Sequence, residues 1–113
     1  MPLETWMSQK PKNQIMSFQR LELHMIQGMY GRGVAAGVWK DYAIDIGHKV
    51  AIFSIYRNAS EVPIYQVIKD PNLRHKQGQY RVVSQTGQIL RRGDELKQVL
   101  KILDKFQTHL SVI

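Results

Sequence analysis

The spacing of apolar positions along this chain changes from helical to alternating and back again. From Ser17 onward, Leu23, Ile26, Tyr30, Gly33, Val34 and Gly37 recur at intervals of three and four, the mark of one helical face. Ser17 is placed to cap the first free N–H groups of that helix, with Met16 and Leu21 at the positions of a hydrophobic staple. From Trp39 the period becomes two. In "KDYAIDI", Tyr42, Ile44 and Ile46 alternate with Asp41, Ala43 and Asp45, which predicts a strand with one buried face. "IGHK" reads as a turn. "VAIFSIYR" is apolar on both sides, Val50 and Ile52 against Ala51, Phe53 and Ile55, and predicts a central strand. "PIYQVIK" predicts a third strand, with Pro63 at its start, where a missing N–H costs little. A basic loop, "DPNLRHKQG", leads to a last hairpin of "QYRVVS" and "QILRR" around "QTG". The helical period then returns in Leu96, Val99, Leu100 and Leu103, with Asp94 and Glu95 expected in the first turn and Lys97, Lys101 and Lys105 facing outward.

Short connections force the strands to pair antiparallel, because parallel pairing needs long crossovers. The expected architecture is a two-layer α+β domain: an antiparallel sheet of four to five strands, with an N-terminal and a C-terminal helix packed on one face. It spans residues 17–106, between a flexible tail at 1–16 and a short tail at 107–113. The central strand would then keep an apolar face that nothing in the chain covers. Ala43, Phe53, Ile55 and Tyr65 are the candidate interface there, for a second copy or a protein partner.

Composition narrows the chemistry. The chain has 113 residues and no cysteine, which excludes disulfides, thiolate zinc sites and cysteine nucleophiles. No run is long and apolar enough for a signal peptide or a membrane span, so a cytoplasmic protein is expected. The net charge is +7, and it is concentrated: residues 69–92 hold six cations and one anion, the rest of the chain ten cations and eight anions. A localised basic stretch is the footprint of a polyanion partner, or else a solvated surface that keeps a small protein in solution.

Four constellations of residues could carry chemistry. Gly28, Gly31, Gly33 and Gly37 suggest a phosphate loop, but such loops follow a strand and open a helix. Here the helix comes first and would present its C-terminus, which repels anions. Packing explains these glycines better: Gly37 suits a left-handed helix cap, and Gly33 suits close backbone approach. Asp41, Asp45, His48 and Glu61 could suggest a metal or acid–base site, yet Asp41 and Asp45 are about 13 Å apart along a strand and cannot share an ion. Ser54, Ser60 and Ser84 lack a nucleophile-elbow context, and the histidines are scattered. No catalytic residue, metal site or cofactor is expected. Lys69, Arg74, His75, Lys76, Arg81, Arg91 and Arg92 come from adjacent strands and the loop between them, with Tyr65 and Tyr80 nearby. Cations on a sheet can meet phosphates, and tyrosines can stack on unpaired bases.

The blocks "YGRGVAAGVWKDYAID", "FSIYRNASEVPIYQVIKDP", "GQYRV" and "ILRRGDELKQVLKIL" resemble, in order and spacing, a small alphaproteobacterial family, domain of unknown function 2794. The resemblance covers about Phe18 to Phe106. It implies a bacterial cytoplasmic protein and transfers no catalytic residue. The sequence therefore points to a non-enzymatic binding module that contacts RNA or DNA through its basic sheet and loop surface. The alternative is a homodimeric or protein-interaction adaptor using the uncovered sheet face.

Overall fold

The computed structural model of the chain describes residues 15–58 and 62–112. Helix α1 spans Arg20–Ala35 and helix α2 spans Leu96–Val112. Between them run β1 (Asp41–Ile46), β2 (Ala51–Tyr56), β3 (Tyr65–Lys69), β4 (Tyr80–Ser84) and β5 (Ile89–Gly93). The five strands form one antiparallel meander in sequence order. The α+β architecture is the one expected, with five strands.

The core lies between the sheet and the helices. Phe53 pairs across β2–β3 with Val67, and Val67 across β3–β4 with Val82. All three are fully buried with Ile26 and Met29 of α1 and Leu96, Val99, Leu100 and Leu103 of α2. The α2 stripe is the one its spacing predicts. Aromatic rings extend this core sideways: Tyr42 stacks on Phe53 at 5.0 Å, and Tyr65 stacks on Phe106 at 5.5 Å. Each such pair contributes roughly 0.5–1.5 kcal/mol beyond its buried area.

The start of α1 differs from expectation. Its N-cap is Gln19, not Ser17, and Leu21 is 74% exposed, so no staple forms there. Glu22 fixes the start by accepting the Gln19 N–H at 2.6 Å. Ser17 instead spends its carbonyl on Lys69 Nζ at 3.2 Å, while Phe18 enters the core. The buried face of α1 is Glu22, Ile26, Met29 and Gly33, with Leu23 and Tyr30 packed at its flank and Val34 exposed.

The helix stops at a Schellman arrangement. Gly37 has φ +78°, its N–H donates to the Val34 carbonyl at 3.0 Å, and the Val38 N–H donates to the Gly33 carbonyl at 2.9 Å. Trp39 then folds back over the helix. Its ring lies against Gly33 so closely that a Cβ there would sit 2.0 Å from Cε3. The glycine stretch is thus a cap and a seat for a tryptophan, not a phosphate loop.

At the other end, α2 runs on through Val112, past Phe106, where a tail was expected. Gln107 is buried there and donates through Nε2 to the Met29 carbonyl at 3.0 Å, tying the two helices. The expected N-terminal tail falls mostly outside the described residues. Within them, Met16 bridges to Gly47 beside the β1–β2 turn.

Candidate nucleic-acid interface

The β3–β4 connection is built to hold its shape. Pro71 starts a short 3-10 turn, Pro71–Leu73, and the Leu73 carbonyl accepts from the N–H groups of Lys76, Gln77 and Gly78 at 3.0, 3.1 and 3.0 Å. His75 takes the left-handed conformation, φ 62°. Gly78, at φ +98°, lies so close to Gly93 that a Cβ would meet its backbone at 2.5 Å. Asp94 pins the loop from the far side, accepting the Gln79 N–H at 2.8 Å and the His75 N–H at 3.0 Å. The Gln79 bond, against a small burial cost and helped by His75 and Arg74, holds the Asp94 carboxyl below its ordinary range. Asp94 was expected in the first turn of α2. It precedes that helix, and its carboxylate serves the loop instead.

On this loop, Arg74, His75 and Lys76 are all exposed. Arg92 of β5 joins them, donating through Nη1 to the neutral Gln77 Oε1 at 2.5 Å. The other predicted cations separate. Arg81 is half-buried and pairs with Asp70 at 3.3 Å. Arg91 stands opposite Val82, on the helix side of β5, and donates to the Gln98 carbonyl at 3.3 Å.

Lys69 is not on the surface at all. It is buried, and its Nζ lies 2.8 Å from Glu22 Oε1. Tyr80 donates its hydroxyl to the other oxygen, Glu22 Oε2. Burial acts to raise the Glu22 carboxyl, but the bonds from Lys69, Tyr80 and the Gln19 N–H outweigh it and hold the group below its ordinary range. Burial, then the Glu22 bond and charge, push the Tyr80 phenol well above its own. This cluster was missed as a unit, although both charges stand where the spacing calls for apolar residues. Glu22 is four residues before Ile26 on the helical stripe, and Lys69 continues the Tyr65–Val67 face.

Tyr80 is therefore inside, and Tyr65 is packed between Trp39 and Phe106. Neither ring is presented for stacking on a base. The proposed apolar interface is also displaced. Phe53 and Ile55 are fully buried under the helices, Tyr65 shares their face, and Ala43 lies on the opposite one, across from Ser54. Alternation separates two faces of β2 but does not say which one the helices choose. The face away from the helices is mixed: Ile52, Tyr56, Gln66 and Arg81 are half-buried there, Ser54, Ile68 and Val83 are buried, and Gln66 donates to Ser54 Oγ at 3.1 Å.

A groove of about 430 Å³ runs between α1 and α2, floored by Met25, Gly28 and Leu100 and edged by His24, Lys97 and Lys101. Arg32 at its end is held by Asp104 through two bonds of 3.1 Å. The groove's lining has no hydroxyl, and its one carboxylate, Asp104, is already engaged by Arg32. Among the described residues, no three His, Asp or Glu side chains stand close enough to hold a metal ion. Glu61 of the acidic set lies outside the described residues. No helix among them is long and apolar enough to cross a membrane.

Fold and surface together define a small two-layer α+β protein with a rigid basic loop at one end of a five-stranded meander. The chain belongs to the family described as protein of unknown function (DUF2794), whose model matches residues 16–100. No curated protein and no solved structure matches it.

Proposed function

We propose that this protein is a non-enzymatic cytoplasmic module that binds nucleic acid through its phosphates, using Arg74, His75, Lys76 and Arg92. One observation carries the reading: Arg74, Lys76 and Arg92 are exposed on a loop and strand held by Asp94 and Gly78, and among the described residues Arg92 is met by a neutral glutamine and by no carboxylate. A fixed cation loses less freedom on meeting a phosphate than one on a mobile tail. With Tyr65 and Tyr80 inside, the contact is to backbone alone and reads no sequence.

Fluorescence anisotropy with mixed-sequence duplex and single-stranded oligonucleotides tests this. Three phosphate contacts, one for each of Arg74, Lys76 and Arg92, give a slope of about −2.7 for log K against log salt on duplex DNA. Replacing Arg74, Lys76 and Arg92 together by Ala is expected to remove binding and leave the circular dichroism unchanged. Absence of salt-sensitive binding at about 100 μM protein, the weak end of non-specific affinity, refutes the reading.

A further inference from the structure

The outer edge of β1 stands at the end of the sheet opposite the basic loop, and the inference drawn from it does not depend on nucleic-acid binding. Among the described residues, β1 pairs with β2 and with no other strand. Its hydrogen-bond parity follows from the turn: the Gly47 N–H donates to the Val50 carbonyl at 3.1 Å. Bonded pairs alternate along an antiparallel ladder, so Asp45, Ala43 and Asp41 exchange bonds with β2. Tyr42, Ile44 and Ile46 then direct their N–H and C=O groups outward. The Tyr42 N–H has already found an acceptor, Asp41 Oδ1 at 2.8 Å. Met16 touches this side only beyond the strand, at Gly47.

The same three side chains are open to solvent on the helix side, Tyr42 42% exposed, Ile44 37% and Ile46 57%, with Tyr42 also meeting Tyr30 of α1 edge-on at 5.1 Å. An exposed edge strand of six residues with one apolar face is a template for strand addition. Its own sequence also selects a partner. In an antiparallel pair of two β1 strands, opposed residues share a face, so only two registers centre on the strand. With Ala43 as its own partner, Asp41 opposes Asp45 twice, and like charges directly opposite destabilise a sheet. With Ile44 as its own partner, Tyr42 opposes Ile46, and Asp45 opposes Ala43. That register also uses the residues whose backbone groups point outward. It leaves both Tyr42 N–H groups free to stay on Asp41, while the Ile44 pair and the Ile46 N–H to Tyr42 C=O bonds close the ladder.

We infer that β1 is a homodimerisation edge, joining two copies into a continuous ten-stranded sheet about a two-fold axis through Ile44. Tyr42, Ile44 and Ile46 of both copies then form one apolar layer on the helix side. The two basic loops, each between β3 and β4, then lie roughly 30 Å apart at about 4.8 Å per strand.

Sedimentation equilibrium of the full chain tests this, with three variants at one position. Ile44→Lys and Ile44→Glu each place like charges opposite one another and are expected to give monomers. Their equimolar mixture is expected to recover the dimer, because residue 44 faces its own copy. The chain has no cysteine, so Ile44→Cys reports alone. A bonded antiparallel pair holds Cα atoms about 5.5 Å apart, within disulfide range, and mild oxidation should cross-link this variant while Tyr42→Cys stays uncrosslinked. A wild-type chain that remains monomeric at about 100 μM, a hundredfold above a micromolar dissociation constant, overturns the inference. So does a dimer that Ile44→Lys leaves intact. A monomer whose Ile44 and Ile46 amides resist hydrogen exchange assigns the edge to another segment of the same chain, and overturns it equally.

Discussion

Adding one methyl group at Gly33 should cost this protein about as much as truncating a large side chain in its core. In an ordinary helix interior, Gly→Ala stabilises by about 1 kcal/mol. Here the new Cβ would meet Trp39 Cε3 at 2.0 Å, Cζ3 at 2.5 Å and Cδ2 at 2.6 Å. Carbon atoms in contact need about 3.5 Å, so the indole would have to retreat by more than an ångström. It has no room, because Tyr30 lies stacked on it at 6.3 Å and Tyr65 meets it edge-on at 6.3 Å. The ring must leave its seat. Losing a buried tryptophan costs about 3–5 kcal/mol, so the net effect after the helix gain is a loss of about 2–4 kcal/mol. For a domain of this size the melting temperature should fall by at least about 8 °C. Gly31→Ala is the internal control. It lies three residues from Gly28 on the same helix, with nothing within 4 Å of its Cβ, and should raise the melting temperature by about 4–8 °C. In a Trp39→Leu background the penalty at Gly33 should disappear. Differential scanning calorimetry of the four variants reads all of this. A Gly33→Ala protein as stable as the wild type, or a penalty that survives Trp39→Leu, would refute the packing account.

Other expectations concern the buried charges and the loop. Lys69→Met leaves Glu22 buried without its cation and should cost about 3–5 kcal/mol in urea unfolding, much of it recovered by adding Glu22→Gln. Glu22 has a folded pKa below its ordinary 4.5, so its stabilisation is complete above that pH and should fade as pH falls through the folded value. Tyr80 behaves in the opposite sense: its contribution is complete below the ordinary tyrosine value of 10 and should fade as pH rises above that toward the raised folded value, which Tyr80→Phe would abolish. Asp94→Ala should speed hydrogen exchange at the His75 and Gln79 amides specifically, and NMR would show whether the strand amides of β4 stay protected.

How far the sequence could be read depended on whether a residue's neighbours were local. The five strands and the α2 stripe were legible because period two and period 3.6 are properties of consecutive residues. Gly37 was legible for the same reason, since a helix cap is made within a few positions of itself. The start of α1 was misplaced because Ser17 is a good cap by local chemistry, yet Lys69, fifty-two residues away, claims its carbonyl. Gly33 was legible as a site of close approach, but its partner, the Trp39 ring, was not. The charge count suffered most from the same limit. Residues 69–92 hold six cations in a row of formal charges, yet Lys69 is neutralised inside by Glu22 and Arg81 is matched at the surface by Asp70. Formal charge summed along a stretch assumes that every charge faces water. Subtracting those two leaves four, and only three of them, Arg74, Lys76 and Arg92, gather around one rigid loop while Arg91 turns toward α2. The basic surface is smaller than the sequence suggested but better fixed. If the proposed nucleic-acid contact holds, its salt dependence should therefore follow these three cations, and not the total charge of the chain.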